Sequence, residues 1–223
     1  MNASDFTFGG LTLTPLPSGA MWCDAESVLC VSDLHLGKSE RMARRGGALL
    51  PPYETTATLD RLRAEIDRLN PATVICLGDS FDDLAASQSL GETHRNDLSA
   101  MMAGRRWIWI EGNHDPGATD FTGEHLHEVR VGAVRFRHIA ELTRDDCEVS
   151  GHYHPKASVT LRGRRISSAC FIMDATRLIM PAFGTYTGGL RVSAPELRQL
   201  FTPNATVRLI RAPQHSIPAS LCD

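Results

Sequence analysis

The chain has 223 residues, of which 42% are hydrophobic and 22% are charged, and its formal net charge is −3. This length predicts one globular domain over residues 1–223, and the composition excludes a disordered or a membrane-spanning chain. The net charge argues against a protein that coats nucleic acid by bulk electrostatics. It does not argue against a nuclease, which needs only a local basic strip and bound metals.

The ends and the cysteines of the chain bear on its cellular setting. Residues 1–10 are polar and lack the basic and apolar regions of a secretory signal. The six cysteines have no CxxC and no regular spacing, and Cys30 and Cys76 lie in apolar runs where a thiol acts as a small core residue. We therefore expect reduced thiols and a cytoplasmic location.

Strands and helices are predicted to alternate in the first half of the chain. Apolar runs predict strands at residues 11–16, 20–23, 28–31, 73–77 and 107–110. The helical spacing of Leu59, Leu62 and Ile66 predicts a helix at residues 53–69, and we expect a second helix at residues 94–102. This alternation indicates a parallel sheet covered by helices.

The pattern changes after Gly117 to short alternating runs separated by polar turns. These runs predict strands at residues 126–131, 134–138, 157–161, 169–173, 178–180 and 206–210. We expect them to form a second, mostly antiparallel sheet. The whole chain is thus predicted to have an α/β fold of two packed mixed β-sheets flanked by helices.

Five short runs of metal-binding residue types occur in order along the chain. They are Asp33-Leu34-His35, Gly78-Asp79, Gly112-Asn113-His114-Asp115, His138, and Gly151-His152-Tyr153-His154. The first three directly follow predicted strands of the parallel sheet. Because ligands of such sheets collect beyond the carboxyl ends of the strands, we expect these runs to meet at one site.

The residue types in these runs suit two neighbouring divalent cations. Asp33 and His35 are two positions apart and can converge on one ion. His152 and His154 have the same spacing, and the carboxylate of Asp79 can bridge two cations. Imidazole and oxygen donors without thiolate favour Mn, Fe, Zn or Ni. A pair of such ions activates water for attack on phosphorus.

The motifs DxH, GDxxD, GNH[DE], H and GHxH together resemble those of the calcineurin-like metallophosphoesterases, whose fold is two packed sheets flanked by helices. The resemblance implies a ligand set for a first metal (Asp33, His35 and His154), for a second metal (Asn113, His138 and His152) and a bridge (Asp79). It also implies that a metal-bridging hydroxide attacks phosphorus, while His114, oriented by Asp82, assists the leaving group. The chain departs from many relatives by having Ile139 after the fourth-motif histidine.

Softer features resemble one bacterial branch, the ligase-associated phosphoesterases. These features are the run Asp33 to Lys38, the stretch from Arg41 to Tyr53, and the run Met180 to Gly189. The resemblance implies a manganese-dependent DNA endonuclease of a DNA damage response. It also implies a functional association with an ATP-dependent DNA ligase, a helicase and an exonuclease.

The metal motifs alone leave other functions open. A phosphatase, or a cyclic-nucleotide or small-metabolite phosphodiesterase, could use the same dinuclear core, because the reacting group is the same. A non-catalytic scaffold is a further hypothesis, and the intact set of predicted ligands argues against it.

Several residues near the motifs have two interpretations. Basic residues after the first motif either grip phosphates flanking the scissile one or form a solvated helix face: Lys38, Arg41, Arg44 and Arg45. His125 and His127 either line the cleft or lie on a polar strand face. Asp115 is predicted to be a turn or helix-start residue rather than a ligand, and Trp107 and Trp109 are predicted to pack in the core. Residues 184–189 are predicted to form a loop with unusual backbone angles rather than a nucleotide cradle.

Overall fold

The structure is a computed structural model, and it describes residues 5–47, 51–143, 146–161, 163–210 and 216–222. Residues 48–50, part of the stretch that resembles the ligase-associated branch, lie outside the described residues. The described helices are α1 (Lys38–Arg44), α2 (Glu54–Leu69), α3 (Leu84–Ser89), α4 (Glu92–Met102), α5 (Pro195–Arg198) and a 3-10 helix (Ala219–Leu221).

The first sheet has seven strands that lie side by side in chain order. They are β1 (Phe6–Phe8), β2 (Leu11–Pro15), β3 (Met21–Cys23), β4 (Val28–Val31), β5 (Thr73–Leu77), β6 (Arg106–Ile110) and β7 (Glu124–Leu126). Strands β1 to β4 pair antiparallel, whereas β4, β5, β6 and β7 pair parallel. The carboxyl ends of β4, β5 and β6 therefore lie at the same edge, as the motif positions predicted.

The second sheet has the strand order β15-β14-β12-β13-β10-β9-β8, and β11 pairs with β12. Its strands are β8 (Glu128–Val131), β9 (Val134–Arg137), β10 (Cys147–Ser150), β11 (Lys156–Leu161), β12 (Arg164–Met173), β13 (Arg177–Ile179), β14 (Thr206–Leu209) and β15 (Ile217–Pro218). Most pairs are antiparallel, but β10 runs parallel to both β9 and β13. The sheet is therefore mixed.

Strands β3, β4, β5 and β6 of the first sheet are buried on both faces, which explains their nearly uninterrupted apolar sequence. In β6, Trp107 and Trp109 pack with the helix-facing core, whereas Ile108 and Ile110 pack with residues of the second sheet. The interface between the sheets also contains Phe136 from the second sheet. The fold is therefore a sandwich of two mixed sheets with helices outside, which confirms the predicted fold class and the packing of the two tryptophans.

Helix α2 covers the outer face of the first sheet. Its buried face carries Leu59, Leu62 and Ile66, at the spacing that predicted the helix. The helix ends at Asn70, which has a left-handed φ of 44° and whose N–H donates to the carbonyl of Ile66. The predicted helix at 94–102 is also present, as α4.

The structure differs from the predicted elements at the passage between the sheets. The single strand predicted at 126–131 is two strands, β7 at the edge of the first sheet and β8 at the edge of the second. Exposed His127 lies between them, and an alternating pattern alone cannot show that a chain changes sheets there. Strands β1, β10 and β15 and helices α1, α3 and α5 were not predicted as elements.

Two further observations concern the setting of the chain. All six cysteines lie among the described residues, and no disulfide bond joins them there. None of the described helices combines the length and the apolarity that crossing a membrane requires.

Candidate metal centre

The loops after β4 and β5 continue the parallel pairing of their strands. The N–H of Asp33 donates to the carbonyl of Gly78 at 3.3 Å, and the N–H of His35 donates to the carbonyl of Asp79 at 2.9 Å. These hydrogen bonds fix the first two motifs side by side beyond the edge of the sheet. The DxH and GD motifs are therefore held at one place by the backbone alone.

Left-handed backbone is concentrated at the predicted ligands. Five of the seven have φ between 46° and 69°: Asp33, His35, Asp79, His152 and His154. Residues other than glycine rarely adopt this region, and the surrounding structure must hold them there. An extended strand would place Asp33 and His35 on one face, but the observed convergence comes from two left-handed residues past the strand end.

The first cluster consists of Asp33, His35 and His154, whose ligand atoms lie within 4.8 Å of one another. His154 Nε2 lies 3.2 Å from Asp33 Oδ1. His35 Nδ1 lies 2.8 Å from the Asp82 carboxylate, so its Nε2 is directed into the cluster. Among the described residues, His35 Nε2 is buried without a hydrogen-bond partner. A histidine oriented by a carboxylate at one nitrogen commonly binds a metal through the other.

The second cluster consists of Asp79, His138 and His152, joined by Asn113. His138 is buried, and its Nδ1–H donates to the carbonyl of Leu77 at 2.8 Å. The other nitrogen, Nε2, lies 3.0 Å from Asn113 Oδ1, 3.4 Å from Asp79 Oδ2 and 3.3 Å from His152 Nδ1. Several lone pairs thus converge on one point, which requires a positive charge there.

Asp79 belongs to the second cluster and also groups with His35 and His114. Its Oδ2 lies 3.4 Å from His138 Nε2 and 4.0 Å from His35 Nε2, while its Oδ1 accepts the N–H of His114 at 2.8 Å. Of the predicted ligands, Asp79 is placed between the two clusters, as a bridging carboxylate would be.

The ionised carboxylates of the site favour the binding of cations. Burial opposes ionisation of Asp33 and Asp79, but neighbouring histidines lower the pKa of both carboxyls below the ordinary value. Burial likewise opposes a charge on His138, but Asp79 and Asp33 raise its pKa to about 8. The carboxylates thus stabilise positive charge where the second cluster would hold a metal.

Two motif glycines make room for the ligands. Gly78 has φ of 76°, and a Cβ added there would overlap the ring of His138. A Cβ on Gly151 would overlap Ser32 Oγ and the carboxylate of Asp33. The glycines of the GD and GH motifs are therefore required by close approach of side chains, a role that the sequence interpretation did not assign.

His114 lies between the first cluster and the GDxxD loop. Its Nδ1–H donates to the main-chain carbonyl of Asp82 at 2.9 Å, and its ring meets that of His35 edge-on at 5.0 Å. The Asp82 carboxylate instead faces His35, Arg41 and Lys38. Burial opposes its ionisation, but His35 and these cations lower its pKa to about 2. The resemblance implies that Asp82 orients His114 and raises its basicity, whereas here Asp82 contacts His114 through its main-chain carbonyl and places its carboxylate on His35.

Asp115 is a buried turn residue that ties two motif loops together. Its Oδ1 accepts the N–H of Gly112 at 3.1 Å, within the turn that the sequence predicted. Its Oδ2 accepts the N–H groups of Ser80 and Phe81 at 2.8 and 3.0 Å. Burial raises the pKa of Asp115 to about 6. These hydrogen bonds join the GNHD turn to the GDxxD loop. The sequence did not predict this connection.

A groove of about 480 Å³ opens beside the second cluster. Asn113, His138 and Ile139 line it, together with exposed His127. The Ile139 side chain is exposed, so its bulk does not displace His138. His127 pairs with Glu111 at 3.2 Å, whereas the His125 ring lies near the carbonyl of Phe121 and takes no part in the clusters.

The donor set fits two divalent cations. Asp79 of the second cluster also groups with His35 of the first, and buried donor atoms without hydrogen bonds are directed into the two clusters. Nitrogen and oxygen donors without thiolate are the ligands of Mn, Fe, Zn and Ni. The fold and this site together define a class of protein, the metal-dependent phosphoesterases with a dinuclear centre.

Comparison with known proteins agrees with this class. The sequence signature of the family described as calcineurin-like phosphoesterase matches residues 27–172, and the chain belongs to this family. Its members use divalent metal ions, and the chain is a metal-dependent phosphoester hydrolase. No curated protein sequence matches the chain.

Two solved structures are similar to the chain. The crystal structure of Pseudomonas putida nuclease MPE is 25% identical, with a TM-score of 0.71 over 92% of this chain and 96% of that chain. Yfce, a phosphoesterase from E. coli, is 12% identical with a TM-score of 0.38, over 85% of this chain and 96% of that chain.

Proposed function

We propose that the chain is a two-metal phosphodiesterase that cleaves DNA as an endonuclease. The observation that carries this proposal is the pair of clusters connected through His35 and Asp79, in a chain similar over nearly its whole length to a nuclease. Residues 33, 35 and 154 would hold one cation, residues 113, 138 and 152 the other, and Asp79 would bridge them. When bound, the two cations activate water and neutralise charge on the phosphoryl group.

In this proposal the protein residues orient the metal ligands and protonate the leaving oxygen. His114 Nδ1–H is held by the Asp82 carbonyl, which leaves Nε2 to carry a proton to the leaving oxygen. The Asp82 carboxylate orients His35 and is itself held by Arg41 and Lys38. Lys38 and Arg41 thus stabilise the carboxylate that orients His35. Arg44 and Arg45 are more exposed to solvent.

The physiological setting belongs to the same proposal. We expect Mn²⁺ as the preferred metal, a single domain over residues 1–223, a cytoplasmic location, and a role in bacterial DNA repair with a ligase, helicase and exonuclease. The resemblance of the motif-flanking segments to the ligase-associated branch supports this role.

The test is a substrate panel across metals. Purified protein with Mn²⁺ should nick supercoiled plasmid and hydrolyse a chromogenic phosphodiester faster than a phosphomonoester. Replacing Mn²⁺ by Fe²⁺, Zn²⁺ or Ni²⁺ ranks the metals, and a chelator should abolish all turnover. Activity on monoesters or cyclic nucleotides without plasmid nicking would refute the nuclease proposal and favour a phosphatase or a cyclic-nucleotide phosphodiesterase.

A further inference from the structure

Tyr53 and Tyr186 form an exposed aromatic pair on the surface of the protein. Their side chains are 59% and 37% exposed, and their ring centroids are 6.0 Å apart at an angle of 55°. The neighbouring Tyr53 hydroxyl raises the pKa of Tyr186 to about 12. Large aromatic rings usually gain free energy by burial, so two adjacent exposed rings indicate a binding surface.

The loop that carries Tyr186 is fastened to the motif segments at both ends. The N–H of Gly184 donates to the carbonyl of Asp33 at 3.0 Å, and the N–H of Leu190 donates to the carbonyl of Tyr153 at 3.2 Å. Tyr186 itself has φ of 61°, which is rare for a bulky residue and is found where the surrounding structure imposes it. The backbone of this loop is therefore held against the segments that carry Asp33 and His154.

Tyr53 is attached to the segment that follows the DxH motif. The next residue, Glu54, accepts the N–H and the hydroxyl of Ser39 at 3.0 and 2.8 Å. Thr55 Oγ1 accepts the N–H of Gly37 at 3.0 Å. Tyr53 thus stands at the start of α2, within one hydrogen bond of the loop that leaves His35.

Helix α2 and the loop are also docked on each other. The N–H of Thr185 donates to Thr58 Oγ1 at 3.0 Å, and Arg61 donates to the carbonyl of Phe183 while its guanidinium lies 4.6 Å from the ring centroid. The relative position of the two tyrosines is therefore fixed by the scaffold, and little conformational entropy is lost when a ligand binds there.

The neighbouring helix α1 adds positive charge. Four cations and four carboxylates lie together, so their charges balance before any metal binds: Lys38, Arg41, Arg44 and Arg45 with Glu40, Glu54, Asp82 and Asp83. Two of the carboxylates, Glu54 and Asp82, are buried, whereas Arg44 and Arg45 are exposed, so cations predominate at the surface. The Arg45 side chain is 66% exposed. Aromatic faces beside exposed cations are the composition of surfaces that bind single-stranded nucleic acid.

We propose that Tyr53 and Tyr186 form a stacking platform for an unpaired nucleobase of a DNA strand whose phosphate lies at the metal centre. This inference rests on the proposed function and deepens it, because it names an unpaired nucleotide as the preferred substrate feature. The bases of an intact duplex stack on one another and cannot reach a protein ring without being extruded. Every base offers a π-face, so the platform has little sequence preference.

The test compares two labelled oligonucleotides of equal length, oligodeoxythymidylate and its abasic analogue. Their dissociation constants are measured by fluorescence anisotropy on protein kept in chelator, so the readout does not depend on turnover. The wild-type protein should bind the base-containing strand roughly tenfold more tightly than the abasic strand, as one stacked base gives. The double variant Tyr53→Ala/Tyr186→Ala should reduce this ratio to nearly one.

Two controls separate stacking from general damage. Tyr53→Phe/Tyr186→Phe keeps the rings and should keep the ratio, and Leu221→Ala removes an exposed apolar side chain from the 3-10 helix and should also keep it. A wild-type ratio of one, or a ratio unchanged in the alanine variant, overturns the platform. Plasmid nicking by a protein with no base preference would overturn the platform and leave the proposed function standing. Hydrolysis of a simple phosphodiester without cleavage of any DNA would refute both.

Discussion

At the scale of single residues, Asp79 lies between the two metal clusters, with its Oδ2 3.4 Å from His138 Nε2 and 4.0 Å from His35 Nε2. Asp79→Ala should remove both metals and abolish activity, because the second cluster loses its carboxylate and the first loses the proposed bridge to it. Elemental analysis and plasmid nicking measure the two effects together. Asp60→Ala, which removes an exposed carboxylate of α2, is the matched control and should change neither. A variant that retains one full metal equivalent would argue against a bridge.

His114 is close enough to His35 and Asp79 for two roles, metal ligand or proton donor. The proposed function assigns it the second role. His114→Ala should then bind the normal amount of metal and turn over roughly 10²- to 10⁴-fold more slowly, the usual contribution of a general acid or base. Loss of metal in this variant would make His114 a ligand, and unchanged turnover would remove it from the mechanism.

The sequence predicted which side chains meet at the site, but not how the backbone presents them. Motif order and strand ends placed Asp33, Asp79 and Asn113 at one edge of the sheet. The left-handed conformation of the ligands could not be predicted, because sequence spacing carries no dihedral information for residues other than glycine and proline. The position of the His138 ring could not be predicted either, because it depends on a hydrogen bond to the carbonyl of Leu77, 61 residues earlier in the chain.

At the scale of elements, buried Arg177 in β13 joins three parts of the second half of the chain. Its Nε donates to Glu148 in β10 at 2.5 Å, its Nη1 donates to the carbonyl of Leu200 at 2.7 Å, and its Nη2 donates to the carbonyl of Thr143 at 3.2 Å. The side chain is almost fully buried, and only this set of acceptors offsets the cost of burying its charge.

Arg177→Met should therefore destabilise the protein by about 3–5 kcal/mol, because buried Glu148 loses its nearest cation and keeps only the longer contact with Arg137 at 3.9 Å among the described residues. Urea unfolding in chelator measures the free energy of unfolding. Arg68→Met, which removes an exposed guanidinium from its ion pair with Glu65, should cost less than about 1 kcal/mol. Equal losses for the two variants would show that the Arg177 network contributes no more than a surface pair. Adding Glu148→Leu to Arg177→Met should recover part of the loss.

The elements themselves could be predicted where both faces of a strand are apolar, as in β4, β5 and β6. Prediction failed where the apolar run was short or was interrupted by polar residues. Strand β10 contains Glu148, whose burial is explained only by Arg177 in a neighbouring strand. Such long-range pairing is not visible in the local pattern.

At the scale of the whole molecule, both sheets contribute to each predicted metal site. The first sheet provides the loops that carry Asp33, Asp79 and Asn113, and the second provides those that carry His138 and His152. The unfolded chain separates these donors, so a cation that binds them stabilises the folded state by mass action.

Addition of Mn²⁺ to metal-free protein should therefore raise the melting temperature. At a concentration one hundred times Kd, a single site contributes about 2.7 kcal/mol. For a chain of this size, that corresponds to a shift of roughly 5–10 °C. The shift should increase with metal concentration and be absent in Asp79→Ala. A melting temperature that does not respond to any divalent ion would contradict a site built from both sheets.

The left-handed residues of the metal centre have a consequence for engineering this protein. Glycine at position 35 or 154 would relax the backbone by an amount on the order of 1 kcal/mol, yet would delete an imidazole. The bound metals depend on these imidazoles and would offset that strain, so the chain accepts a strained backbone at these positions in return for metal binding. Libraries for thermostability should hold these positions fixed and seek improvement in the outer helices and turns.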